Sequence, residues 1–234
     1  MTADGEAGGD AAGAGGSPLG VDQEFSAETP PAGAADVFGS GWGQAQQFAE
    51  MLVAEGELRG LIGPRELPRL WTRHLLNATA VVPFIPEGVT EFADIGSGAG
   101  FPGVIVALMR PDLRVHLIEP MDRRVTWLTD VVAELDLDNV RVHRARAEEL
   151  HGEEAFEVVT ARAVASLKKL IPWTVPLLVP GGRLVALKGE RAAEEVSEAR
   201  NVLRKARVSE AEVHEVTVLG SDVPARVVVA VRNS

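Results

Sequence analysis

The 234-residue sequence has no cysteine and no tyrosine, and aromatic residues make up only 5% of it. Without cysteine there can be no disulfide framework, no thiolate zinc site and no cysteine nucleophile. So few aromatics leave little material for a surface on which single-stranded bases stack, and Trp71, Trp127 and Trp173 fit apolar helix faces instead. The histidines at 74, 116, 143, 151 and 214 show no metal-ligand spacing, which predicts that no metal is held. No apolar run approaches the ~20 residues that cross a bilayer, and the first residues are acidic and Gly-rich where a signal peptide needs a basic start. A cytoplasmic protein without membrane contact is expected.

What is present is unevenly spread. The formal charge is −11, which at face value argues against a nucleic-acid partner. Residues 1–36, however, contain nine Ala, eight Gly, seven acidic residues and no basic one, and so carry −7 of that total. Such composition cannot offset the entropy of ordering, so residues 1–36 are expected to be a disordered acidic tail. From Arg59 onward 23 basic residues face 24 acidic ones, which leaves room for a local basic patch.

After the tail, residues 37–88 read as a helical segment. Trp42, Ala45, Phe48, Met51 and Leu52 recur at intervals of three and four after Ser40-Gly41, which marks one amphipathic helix. A second is predicted over residues 66–82, burying Leu67, Leu70, Trp71, Leu75, Ala78 and Val82 and stacking Arg69, Arg73 and Asn77 on another face. Residues 89–234 then alternate short apolar runs with helical stretches. Strands are predicted near 92–95, 115–118, 140–143, 157–160 and 183–187, with helices near 103–109, 123–135, 167–178 and 192–205. That alternation predicts an α/β domain with a mostly parallel, doubly covered sheet. The last two runs, 213–219 and 226–231, have no helix between them and should form a hairpin, making at least one C-terminal strand antiparallel.

The strongest local signal is Asp94-Ile95-Gly96-Ser97-Gly98-Ala99-Gly100-Phe101-Pro102-Gly103, between the first strand and the first helix of the sheet. Glycines there let the backbone turn sharply and approach a ligand, while the free N–H groups of the helix start face it. Counted from Gly96, the dinucleotide fingerprint G-x-G-x-x-G requires glycine at position 101, where Phe101 stands, so NAD is disfavoured in that register. The pattern acidic-x-G-x-G-x-G resembles motif I of the class I S-adenosylmethionine-dependent methyltransferases, a Rossmann-like fold. Glu119, 23 residues beyond Gly96 at the end of the second strand, is spaced to accept both hydroxyls of a ribose.

The acceptor is narrowed by what is missing. The segment Thr160-Ala161-Arg162-Ala163 stands where enzymes that methylate exocyclic amines carry Asn/Asp-Pro-Pro-aromatic, and pyrimidine C5 chemistry needs a cysteine. A ring nitrogen such as guanine N7 has an in-plane lone pair and needs only positioning. Arg73-His74-Leu75-Leu76-Asn77, the glycine loop through Phe101-Pro102-Gly103, Glu119-Pro120-Met121-Asp122-Arg123-Arg124, Thr160-Ala161-Arg162-Ala163 and Leu187-Lys188-Gly189 together resemble the RsmG (GidB) family over about residues 37–234. One departure is Leu61-Ile62-Gly63-Pro64-Arg65, where family members often carry Asn-Leu-Thr.

This resemblance implies methylation of guanine N7 in the 530 loop of 16S ribosomal RNA, with S-adenosylmethionine as cofactor and a 30S subunit or precursor as partner; separately, a monomer is expected. It implies cofactor contacts at Gly96, Phe101, Ala147, Glu148 and Arg162, beside Gly98 and Gly100 of the loop and Glu119. No catalytic acid or base is expected. Candidate RNA contacts are Arg69, Arg73, His74, Arg123, Arg124, Lys168, Lys169 and Lys188, with Arg162 and Lys188 best placed to orient the substrate because each directly follows a strand. The alternatives are a methyltransferase of the same fold acting on a small molecule or protein, and a non-catalytic RNA-binding assembly factor.

Overall fold

The computed structural model describes residues 26–233. Most of the expected tail therefore lies outside the described residues, but residues 26–36 differ from that expectation. The Glu28 carboxylate accepts the backbone N–H groups of Trp71 and Thr72 at 2.8 and 3.0 Å. Helix α1 (Ala34–Phe38) buries Ala34 and Phe38, with the Phe38 ring edge-on to Trp71. Average composition hid these few anchoring side chains.

Helix α2 (Trp42–Glu55) follows as expected and buries Ala45, Phe48, Ala49 and Leu52. The single helix predicted over 66–82 is instead a chain of short turns. A 3₁₀ segment, Pro64–Arg69, leads into a wide π turn, Leu70–Leu75, then α3 (Leu76–Ala78) and a second 3₁₀ segment, Thr79–Phe84. Pro68 and Pro83 lie inside the outer pieces, where each lacks the N–H that an α-helical ladder requires. The apolar stripe survives, since Leu70, Trp71, Leu75 and Ala78 are buried.

The sheet has seven strands: β1 (Glu91–Ile95), β2 (Arg114–Ile118), β3 (Val140–His143), β4 (Phe156–Arg162), β5 (Leu178–Lys188), β6 (Glu212–Val216) and β7 (Ala225–Val231). Their spatial order is β3-β2-β1-β4-β5-β7-β6. The first five run parallel, and β7 lies antiparallel between β5 and β6, closing the expected hairpin. Helices α4 (Gly103–Met109), α5 (Asp122–Glu134), α6 (Leu167–Thr174) and α7 (Ala192–Lys205) make the crossovers.

Side chains alternate between two apolar layers. In β1, Phe92 enters the layer under α2, α4 and α5, while Ala93 and Ile95 enter the layer under α6 and α7. The N-terminal turns share the first of these layers, so residues 34–85 and the sheet have one continuous core. The strand order reverses between β1 and β4. In an open α/β sheet that switch point leaves a crevice at the carboxyl ends of the strands.

Candidate cofactor-binding and active site

The glycine loop sits in that crevice. Its backbone is tied down by Gly96 N–H to Ile118 O at 2.8 Å and Gly100 N–H to Ser97 O at 2.7 Å. Gly96 has φ +70°, and a Cβ there would stand 2.7 Å from Val164 Cγ2 on the loop after β4, so both conformation and close approach require glycine. Gly103 opens α4 by donating its N–H to Asp94 Oδ2 at 3.0 Å. Asp94 is fully buried and its Oδ1 has no partner; burial, eased in part by the Gly103 N–H, pushes its carboxyl up to about 7.

Glu119 follows β2 and is 2% exposed. Its Oε2 accepts the Gly98 N–H at 3.0 Å and its Oε1 accepts the Met121 N–H at 2.9 Å. The Arg124 guanidinium lies 3.8 Å away. An ionised carboxylate offers about four acceptor positions, so two backbone N–H groups leave capacity for two hydroxyls.

On the opposite wall, Arg162 ends β4. It donates to the backbone oxygens of Arg73 at 2.9 Å and His74 at 3.4 Å, and its Nη2 meets His74 Nδ1 at 3.2 Å. The guanidinium lies 5.5 Å over the Phe101 ring. Burial, then repulsion from Arg73, lowers its pKa to about 10. His74 turns its Nε2 to Glu66 Oε2 at 2.9 Å.

These walls enclose a cavity of about 500 Å³. Of the expected cofactor residues, Gly96, Gly98, Phe101, Glu119, Ala147, Glu148 and Arg162 line it. Gly100 does not. It faces the packing side of the loop, where a Cβ would meet Val104 Cγ2 at 2.8 Å and Phe48 at 3.0 Å. Leu61, Ile62, Ile118, Met121 and Val164 give the cavity an apolar wall. Trp173, expected in the core, is partly buried and also lines it.

The candidate RNA contacts form a basic patch only in part. Glu66 gathers Arg69, Arg73 and His74, at 2.9, 3.3 and 2.9 Å, leaving the two arginines exposed at their tips and His74 largely covered. Arg124 turns inward to Glu119, whereas Arg123, Lys168 and Lys169 are exposed. Lys188 contradicts its expected role in orienting the substrate. Its side chain is 7% exposed and its Nζ donates to Ala165 O at 2.6 Å and Glu195 Oε2 at 2.9 Å. Glu195 Oε2 also accepts the Leu167 N–H at 2.7 Å, so the pair fastens the loop after β4 to α7.

With this geometry in view, comparison with known proteins is decisive. The family model described as "GidB: rRNA small subunit methyltransferase G" matches residues 42–222. "Ribosomal RNA small subunit methyltransferase G" of Beutenbergia cavernae is 54% identical over 192 residues, covering 82% of this chain and 90% of that protein. The chain belongs to the GidB family. A GidB relative of the same name from Thermobifida fusca is 53% identical over 184 residues, covering 79% of this chain and 77% of that protein.

Solved structures place the GidB chain in the S-adenosylmethionine-dependent methyltransferase fold. An O-methyltransferase from Thermotoga maritima gives a TM-score of 0.54 at 15% identity, covering 68% of this chain and 64% of its own. A precorrin-6y C5,15-methyltransferase from Geobacter metallireducens gives 0.51 at 17% identity, covering 66% and 87%. Among the described residues no helix is long and apolar enough to cross a membrane, and no group of three His, Asp or Glu is arranged to hold a metal. Sequence reasoning missed Glu66 and Glu195 in this GidB site. An acid eight residues before His74, and another seven residues after Lys188, could have marked each as a partner.

Proposed function

We propose that this chain transfers the methyl group of S-adenosylmethionine to guanine N7 in the 530 loop of 16S ribosomal RNA, acting as a single chain on the small subunit or its precursor. The observation that carries this reading is the 54% identity to a small-subunit rRNA methyltransferase across 82% of this chain and 90% of that protein. The site supports the cofactor. A cavity of about 500 Å³ lies within the range of small-molecule sites, and Glu119 keeps free acceptor capacity at its floor.

S-adenosylmethionine supplies a methyl group on a sulfonium, an electrophile that needs no further activation. Glu119 would accept the ribose hydroxyls, Gly96 and Gly98 would let the backbone approach the ligand, and Ala147 and Glu148 would border the adenine. Phe101 and Arg162 would close the opposite side and turn the acceptor edge in line with the sulfonium. Guanine N7 loses no proton on attack, so the chain has to position the base and exclude water rather than supply a general base. Arg69, Arg73, Arg123, Lys168 and Lys169 would meet RNA phosphates around the opening.

The test incubates the purified full-length chain with 30S subunits from cells lacking the gene and S-adenosylmethionine labelled on its methyl group. Label appearing as 7-methylguanosine in 16S rRNA by nucleoside mass spectrometry is the expected result. No transfer to 30S subunits or to their precursors overturns the reading.

A further inference from the structure

A chain of three side chains borders the cavity, with His74 and Arg162 lining it and Glu66 beyond them, and the methyl transfer as proposed leaves Glu66 and His74 without a task. Glu66 on the Pro64–Arg69 turn meets His74 on the following π turn, and His74 meets Arg162 at the end of β4. A guanidinium has only donors, so His74 Nδ1 must accept from Arg162. The Glu66 carboxylate has only acceptors, so His74 Nε2 must carry the proton. One neutral tautomer satisfies both ends, and a protonated ring satisfies only Glu66.

We infer that His74 is a positioning residue for the methyl transfer: held by Glu66 as the Nε2–H tautomer, it fixes the guanidinium of Arg162 across the Phe101 ring at the cavity wall. The His74 ring also lies 5.6 Å from the Phe101 ring, so the same histidine contacts both groups that close that wall. Backbone carbonyls of Arg73 and His74 take two other Arg162 contacts, so loss of the imidazole acceptor rotates the guanidinium rather than freeing it. The inference rests on the reading of the cavity as the methyl-transfer site.

The charged groups around the ring set the direction of the pH effect. Burial and then the facing Arg162 lower the pKa of His74, with Arg73 adding to them, while Glu66 opposes. Arg69 meets the other oxygen of Glu66, Oε1, and Asp94 acts on Arg162 from β1. His74 therefore stays neutral through physiological pH. Protonation below its ordinary range puts an N–H donor against Arg162.

The test uses three variants of the full chain, assayed for 30S methylation between pH 5 and 8.5 and for cofactor binding by calorimetry. Arg162→Met should weaken cofactor binding or methylation; if it changes neither, the reading of the cavity fails independently of His74. His74→Phe keeps a ring but leaves Arg162 a donor unmet, which should lower kcat/KM at pH 8 by on the order of tenfold to a hundredfold. His74→Asn keeps an acceptor near the Nδ1 position and should recover most of that loss, while removing the acid limb that His74 gives the wild-type profile. Asp94, whose carboxyl is pushed up to about 7, keeps its own limb in both His74 variants, so the His74 limb is the part of the wild-type profile that they lack. ¹⁵N NMR of histidine-labelled wild type should show His74 as the Nε2–H tautomer above pH 7. A folded His74→Phe protein with full activity, an unchanged acid limb in His74→Asn, or an Nδ1–H signal would each overturn the inference.

Discussion

The Glu119 carboxylate and the Gly98 N–H, 21 residues apart in sequence, meet at 3.0 Å across the floor of the cavity. The acid that would hold the ribose thus also holds the loop that would face the rest of the cofactor. Loop shape and ligand binding share one side chain, and the loop is preorganised by a group it would otherwise only adjoin.

Glu119→Gln should therefore weaken S-adenosylmethionine binding by the worth of one charge-assisted hydrogen bond. The amide keeps one acceptor but turns an NH₂ toward the N–H of Gly98 or Met121. A charge-assisted hydrogen bond is worth roughly 1.5–3 kcal/mol, so the dissociation constant should rise about tenfold to a hundredfold. Calorimetry measures it, and amide hydrogen exchange at Gly98 should speed up in the unliganded variant.

Gly96→Ala should destabilise the fold for two separable reasons. The left-handed φ of +70° costs an L-residue roughly 1–2 kcal/mol, and the new methyl stands 2.7 Å from Val164 Cγ2. Val164→Ala removes the second penalty and leaves the first. In urea unfolding the double variant should recover part of the loss from Gly96→Ala and fall short of Val164→Ala alone; strictly additive losses would show that the two side chains do not meet.

Much of the fold was legible because the period of the sequence matches the environment of each element. Strand β1 reads Glu-Phe-Ala-Asp-Ile, buried from Phe92 to Ile95 on both sides, as a central parallel strand must be. The turns of residues 64–84 were not legible, since their apolar spacing is helical while Pro68 and Pro83 forbid a regular ladder. In the site, Gly96 and Glu119 were legible because each stands at the end of a strand aimed at the crevice. The same rule misplaced Lys188. A strand end fixes where a backbone arrives, and a nearby carboxylate, Glu195, decided where the long side chain went.

Lys188 and the two lysines of α6, Lys168 and Lys169, should consequently respond to mutation in opposite ways. Lys188→Met leaves Glu195 half-paired under the loop after β4. Removing one member of a buried ion pair costs about 3 kcal/mol at the lower end, to be read in urea unfolding. The salt dependence of 30S binding should not change. Lys168→Ala and Lys169→Ala should leave stability nearly unchanged, and each that meets a phosphate should reduce the slope of log K against log salt by about 1. A changed slope in Lys188→Met would return that residue to the RNA contacts.

Asp94→Asn should make the protein more stable at pH 8 and gain little at pH 5. The Asp94 carboxyl is pushed up to about 7 in the fold, above its ordinary value near 3.8. Between those two values the folded chain holds a proton that the unfolded chain releases, so wild-type stability falls as pH rises through the window. Above it the fold carries a buried charge whose Oδ1 has no partner, a cost of about 4 kcal/mol for a shift of this size. Asparagine is neutral throughout and can still accept the Gly103 N–H. The gap between variant and wild-type Tm should open from pH 5 to pH 8. The same variant should methylate more slowly, because the charge it removes is one that attracts Arg162. A stabilising loss of activity would show that the glycine loop carries this acid for its chemistry and not for its fold. A gap that stays constant with pH would show that Asp94 is ionised at its ordinary value.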